Sequence, residues 1–320
     1  MSHLPLGPGR EFDRIRAIER ALGAHAAQLG DDCAIVGPFP HRVVLSTDVS
    51  VEDTHFRRAW LTPEEIGWRA ASAALSDLAA EGAEAIGLLM ALTLPAGTPE
   101  EDVTAIMRGV GEAATAAGGR VLGGDLSRGP SMALAVTVVG RAVRPVTRRG
   151  AQPGDSIWLT GVLGGPRAAL QAWEAGREPL PECRRLFAHP TPRLPAGRLF
   201  AHVGATALID VSDGLAGDAR HLAAASGVRL EIDLARVPLA DGVRQAAAAA
   251  GQEPEAFAAE GGEDYELLAA VPPDAEPMLR ELAARAEVPL TRIGRVVAGE
   301  GVLLSVGGRA LPLGSFDHFA

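Results

Sequence analysis

The 320-residue chain contains no lysine, so all 30 of its basic residues are arginine. That excludes a phosphate-binding P-loop, the strand lysine of a protein kinase and the Schiff-base lysine of a pyridoxal-phosphate enzyme. Any phosphate it binds must be met by arginine, backbone N–H groups or metal ions. Cysteine is nearly absent: Cys33 and Cys183 lie far apart and beside no histidine pair, which excludes a disulfide framework and a zinc set. Both are expected to be buried thiols. No uncharged apolar run reaches the ~18 residues that span a bilayer, and no basic-then-apolar segment resembles a signal peptide, so a cytoplasmic location is expected. Basic residues are also outnumbered. A formal charge of −10 opposes binding to nucleic acid or an anionic membrane, so an anionic substrate would need cations as intermediaries.

Hydrophobic residues make up 47% of the chain, enough for a core in each of two domains, with a boundary expected near residue 143 (1–142 and 143–320). Strands and helices alternate throughout, which indicates an α+β fold of mixed sheets covered by helices. A short helix is expected over Ala17–Leu22. Thr62-Pro63-Glu64-Glu65 reads as a capping box opening a helix through about Ala80, and the same tetrapeptide recurs at Thr98–Glu101. Gly109-x-Gly111-x-x-Ala114 falls inside a helical segment, not after a strand, and is discarded as a dinucleotide site.

Chemistry is concentrated in short acidic motifs. Asp31 and Asp32 precede the apolar Cys33–Val36, and Ser46, Thr47 and Asp48 follow Val43–Leu45. An antiparallel hairpin through Gly37–His41 brings Asp32 and Asp48 to one edge. Local turn capping explains such residues better when one motif is taken alone. The arrangement recurs, however. Asp77 sits near the end of an otherwise apolar helix, Asp125 follows Gly123-Gly124, Asp210 ends an apolar strand ahead of Ser212, and Asp213 either joins it or caps the next helix. Gly261-Gly-Glu-Asp-Tyr-Glu266 again sets acids beside paired glycines. An ionised Asp on an apolar helix is costly unless paired or bound to a cation. Mg²⁺ takes one or two carboxylates together with phosphates and waters, so this many acids implies two or more ions on a polyphosphate, with Mg-ATP as the expected substrate. Arg148 is the best candidate for a direct phosphate contact.

Together these motifs resemble the thiamine-monophosphate kinase family, of the superfamily that includes aminoimidazole-ribonucleotide synthetase and selenophosphate synthetase. The carriers are Gly30-Asp-Asp-Cys-Ala, Ser46-Thr-Asp48 with His55, Leu75-Ser-Asp77-Leu-Ala-Ala, Gly123-Gly-Asp125, Thr147-Arg148-x-Gly150, Asp210-Val-Ser-Asp213-Gly214, Gly261–Glu266 and the ending Phe316-Asp-His-Phe319. Gln28, Ala74 and Phe316 depart from the family's usual residues. The resemblance implies an aminoimidazole-ribonucleotide-synthetase-like architecture and a homodimer. It implies Mg²⁺ ligands Asp32, Thr47, Asp48, Asp77, Asp125, Asp210 and Asp213, ATP contacts from Gly124, Arg148 and Ser212, and thiamine monophosphate contacts from His55, Glu263 and Phe316. The expected reaction is direct transfer of the ATP γ-phosphoryl group, positioned by charge, with no general base assigned, because the acceptor phosphate is already a nucleophile. A sister ATP-dependent activity on another small metabolite, or a nucleotide-binding protein without turnover, are the alternatives.

Overall fold

The computed structural model describes residues 34–36 and 42–314. The expected hairpin forms: β1 (Ala34–Val36) runs antiparallel to β2 (Arg42–Val51), with Ala34 opposite Leu45 and Val36 opposite Val43. The strand does not end at Leu45, as the sequence suggested. It continues through Ser46, Thr47 and Asp48 because β5 (Ala133–Ala142) pairs with it along its whole length, from Arg42 opposite Ala142 to Val51 opposite Ala133. Asp48 therefore lies within a ladder and caps no turn.

Between these strands come α1 (Pro63–Ala80), β3 (Glu84–Leu94), α2 (Glu100–Ala116) and β4 (Val121–Arg128), which give a sheet ordered β1-β2-β5-β3-β4. Alternation sets its two faces. Val44, Leu88, Met90, Leu134, Val136 and Val138 are buried beneath the helices, whereas Val49 and Leu89 stay exposed on the other face. The two Thr-Pro-Glu-Glu segments behave differently. Thr62 makes the reciprocal capping box with Glu65, while the hydroxyl of Thr98 donates to the Pro95 carbonyl at 2.9 Å and leaves α2 capped by Pro99 without a side-chain bond. The tight turn before Thr98 has claimed its hydroxyl.

Helices α1 and α2 cross at backbone contact. A Cβ on Gly67 would lie 1.9 Å from the Ile106 carbonyl oxygen, and one on Gly109 would lie 1.9 Å from that of Glu64. Gly109 of the discarded dinucleotide-like pattern is thus a helix-crossing residue.

The second half contains β6 (Ser156–Thr160), α3 (Gly165–Glu174), α4 (Pro181–Ala188), α5 (Leu194–Val203), β7 (Ala207–Val211), α6 (Leu215–Ser226), β8 (Arg229–Asp233), α7 (Val243–Ala250), α8 (Pro254–Glu260), β9 (Glu266–Val271), α9 (Glu276–Arg285), β10 (Leu290–Val297), β11 (Gly301–Val306) and β12 (Arg309–Ala310). Its sheet runs β12-β11-β8-β10-β6-β9-β7. Every residue of β6, β7 and β9 is buried, as their near-continuous apolar runs require of strands covered on both faces.

One stripe of α1 joins the halves. Glu65, Arg69, Ser72 and Ser76 recur at helical spacing, and all four are buried polar residues. Glu65 takes both guanidinium nitrogens of Arg184 on α4, at 2.6 and 3.0 Å. Burial pushes the Glu65 carboxyl up, but the Arg184 fork and the Thr62 amide outweigh it and hold it below the usual carboxylate range. Trp60 stacks on Trp173 with ring centroids 5.2 Å apart, and Trp173 meets Phe187 edge-on at 5.3 Å.

Candidate active site

The end of α1 is the anchor. Ser46 on β2 donates to Asp77 at 2.5 Å, and Ser76, one residue earlier, donates to the buried Asp210 of β7 at 2.7 Å. Two consecutive residues of one helix therefore tie an acid-bearing strand of each half to the same point. Asp48 lies on β2 two residues beyond Ser46 and faces the same side.

Past Asp210 the chain turns through Ser212 and Asp213 into α6, whose N-cap is Gly214, so Asp213 does not cap that helix. The loop is held by a residue the motifs did not flag. Asp218, on the first turn of α6, is buried, and one carboxylate oxygen accepts the amides of both Ser212 and Asp213 at 3.1 Å. Burial drives its carboxyl well above the usual range; the charges of Asp213 and Asp210 push the same way, and Arg148 opposes them. The signal was present in Leu215-Ala-Gly-Asp218-Ala, an acid on an apolar helix, the same feature that marked Asp77.

The Gly261–Glu266 segment closes the site from the other side. Its Glu263 amide donates to the Ser212 carbonyl at 2.6 Å and its Tyr265 amide to that of Val211 at 2.8 Å. Tyr265 is the chain's one tyrosine. Burial raises its hydroxyl well above the ordinary value, helped by Glu263, Asp48 and Asp210 and opposed by Arg69. Asp264 is partly buried and accepts the Gly164 amide at 2.9 Å; burial, then Glu266 and Glu263, push its carboxyl well above the usual range. A carboxyl whose folded value is raised adds stability below its unfolded value and loses it as pH climbs through the folded value. Asp264→Asn keeps the acceptor and cannot ionise. Its melting temperature should match wild type near pH 3, below the unfolded carboxyl's value, and exceed it by a growing margin toward pH 9; thermal scans across that range check this.

The structure gathers Asp48, Asp77, Asp210 and Asp213 at the junction, with Arg148 close enough to act on Asp218 and with Ser212 in the loop. His55 is placed by its own turn, where Nδ1 accepts the Val51 amide at 3.1 Å. Thr47 and Asp125 do not join them. Thr47 bonds Thr137 at 3.0 Å on the exposed face, and Asp125 shares a row with Ala91, Ala135 and Val49 there. Three strand spacings, about 14 Å, separate its strand from that of Asp48. Nor does the Gly123-Gly124 pair end a strand, as the sequence suggested: β4 runs on to Arg128, and a Cβ on Gly124 would lie 1.9 Å from the Met90 carbonyl oxygen. The close neighbour that demands glycine there is strand β3. Asp32, Phe316, Gln28 and the Ala17–Leu22 helix lie outside the described residues.

Among the described residues, no three carboxylate, imidazole or thiol side chains converge closely enough to hold an ion alone. The four gathered acids offer only hard oxygen donors. That chemistry fits Mg²⁺, which leaves most positions to water and phosphate, and does not suit softer metals.

Comparison with known proteins gives the same assignment from both halves. Residues 30–142 match the AIR synthase related protein, N-terminal domain, and residues 152–306 match the C-terminal domain of that family. A thiamine-monophosphate kinase of Mycobacterium tuberculosis is 40% identical over 271 residues, covering 82% of this chain and 80% of that protein. One from Halobacterium salinarum is 38% identical over 95% of this chain and 99% of its own length. The chain belongs to the thiamine-monophosphate kinase family. Among solved structures, AaThiL complexed with AMPPCP and TMP superposes with a TM-score of 0.85 at 33% identity, covering 97% of both chains. The family's two-domain architecture is the one the sequence motifs implied. Among the described residues no helix is long and apolar enough to cross a membrane.

Proposed function

We propose that this chain transfers the γ-phosphoryl group of ATP directly to thiamine monophosphate, giving thiamine diphosphate and ADP without a phospho-enzyme. The observation that carries the reading is the pair of bonds Ser46–Asp77 and Ser76–Asp210, which draws acids of both halves to one point where a polyphosphate and its cations fit. The acceptor is mostly dianionic at neutral pH, so repulsion is the obstacle, and no base has to activate it. Bound Mg²⁺ supplies the neutralisation of the two anions. Asp48, Asp77, Asp210 and Asp213 are the residues proposed to hold it: Ser46 and Ser76 fix the direction of Asp77 and Asp210, Asp218 fixes the loop that carries Asp213, and strand β2 sets Asp48. Arg148 is proposed for the ATP phosphates, as the chain has no lysine to serve there. His55 and Glu263 are proposed for the thiamine side, with Phe316 as a stacking face. A cytoplasmic location is part of the same proposal.

The test is ADP release across acceptors, with the phosphorylated product identified. Turnover is expected with thiamine monophosphate; turnover with aminoimidazole precursors in its place would overturn the reading. ATP binding with no product on any acceptor would overturn it in favour of a non-catalytic nucleotide-binding protein.

We also propose a homodimer through the exposed face of the first sheet. Val49 and Leu89 lie on it at 50% and 41% exposure, and edge strand β4 adds Leu122 at 48%. Apolar groups clustered this way mark an association surface. Sedimentation should give a dimer for the wild type and a monomer for Leu89→Arg; a wild-type monomer would exclude the interface.

A further inference from the structure

We propose that Arg69 is a positioning residue that clamps the Glu263 carboxylate toward the acceptor substrate, a role that rests on the reading of Glu263 given above. Arg69 comes from the first half of the chain, on α1, two turns before Asp77, and is 4% exposed. It is itself fixed from two directions: one nitrogen donates to the Phe187 carbonyl at 2.6 Å, and the guanidinium lies 3.8 Å above the Phe187 ring. From that mount its other terminal nitrogen makes an ion pair with Glu263.

What it holds is a segment in an unfavourable backbone conformation. Glu263 and Tyr265 have φ of 68° and 52°, both in the left-handed region and neither a glycine. Such residues persist only where their surroundings over-determine them. Three of the restraints are internal to the second half: the Glu263 amide on the Ser212 carbonyl, the Tyr265 amide on the carbonyl of Val211 at the end of β7, and Asp264 on the Gly164 amide. The fourth is Arg69, and it is the one that acts on the Glu263 side chain, which remains 24% exposed. Arg69 thus sets the direction of a partly open carboxylate at the edge of the site while its stem is held by backbone.

The experiment uses the full-length protein with Arg69→Met, Arg69→Lys, Glu263→Gln and the double variant Arg69→Met/Glu263→Gln. In the unliganded protein, amide exchange across residues 261–265 should quicken about tenfold in Arg69→Met while β6 and β9 stay protected. In steady-state assays KM for thiamine monophosphate should rise about tenfold, with KM for ATP changed by less than about twofold, and Arg69→Lys should recover part of the loss. Adding Arg69→Met to Glu263→Gln should cost less than about threefold more, since both act through one contact. Unchanged exchange overturns the clamp, as does an equal rise in both KM values or an additive double variant. Should Arg69→Met fail to fold, Arg69→Lys in the same cycle carries the test. Absence of wild-type turnover on thiamine monophosphate refutes the functional reading and leaves the exchange comparison to decide whether Arg69 holds the segment.

Discussion

Asp48→Asn is expected to lower phosphoryl transfer by about 10²–10³-fold or more, the scale on which one essential charge-stabilising group is lost from a preorganised site. The substitution changes neither size nor strand pairing, since Asp48 lies inside β2 opposite Val136. It removes one ligand and one repelling charge together. At about 100 times its Kd, one Mg²⁺ that binds only the folded protein adds about 2.7 kcal/mol. The wild type should therefore gain several degrees in melting temperature from Mg²⁺, and Asp48→Asn should gain less. Without Mg²⁺ the variant should melt at or above the wild type, because Asp210 and its neighbours lose a like charge. Melting curves with and without Mg²⁺, at ionic strength matched with NaCl, and turnover on the same samples provide the check. A lower metal-free melting temperature with an unchanged Mg²⁺ increment and retained activity would remove Asp48 from the metal site.

Gly109→Ala should destabilise the protein severely while Gly111→Ala, two residues along the same helix, should not. At Gly109 the added methyl meets the Glu64 carbonyl oxygen at 1.9 Å and the Trp68 amide nitrogen at 2.9 Å, both backbone atoms that no rotamer can move. Overpacking typically costs ~1–3 kcal/mol, and with backbone on the far side the upper end, about 3 kcal/mol, is expected. At roughly 2–4 °C per kcal/mol that is a fall of about 6–12 °C in melting temperature. At Gly111 nothing lies within 4 Å of the new atom. There the higher helix propensity of alanine should add up to about 1 kcal/mol. Equal melting temperatures for the two variants would contradict the helix crossing.

Much of this site was legible before any coordinates because burying a carboxylate is costly. Acids set in apolar segments stand out, as Asp77 and Asp210 do, whereas Asp48 is marked by the hairpin edge it shares with Ser46 and Thr47, and Asp213 reads equally as a helix cap. Asp218 obeys the same rule: it follows Gly217 on an apolar helix, but it ends no strand, and its contact with the Ser212–Asp213 loop appears only in the fold. The placement of Asp125 and Thr47 was not legible. Which face of a strand a residue occupies depends on register across β2, β5, β3 and β4, and that register is fixed by pairings far apart in sequence. The two capping tetrapeptides make the same point on a smaller scale: identical residues at Thr62 and Thr98 take different bonds because the turn at Pro95 reaches one hydroxyl first. Likewise, the apolar flank around Asp77 conceals a stripe in which Glu65, Arg69 and Ser76 find partners in the other half of the chain.

That stripe has a consequence for recombining relatives of this family. Glu65, Arg69 and Ser76 lie well before residue 143, yet their partners are Arg184, Phe187, Glu263 and Asp210, all beyond it. A chimera that joins the first half of one homologue to the second half of another at that linker cuts no strand and no helix, but it separates every one of these partners by ancestry. Exchange of α1 together with the second half preserves them, so the unit inherited as a block is a helix from one sheet and the whole of the other.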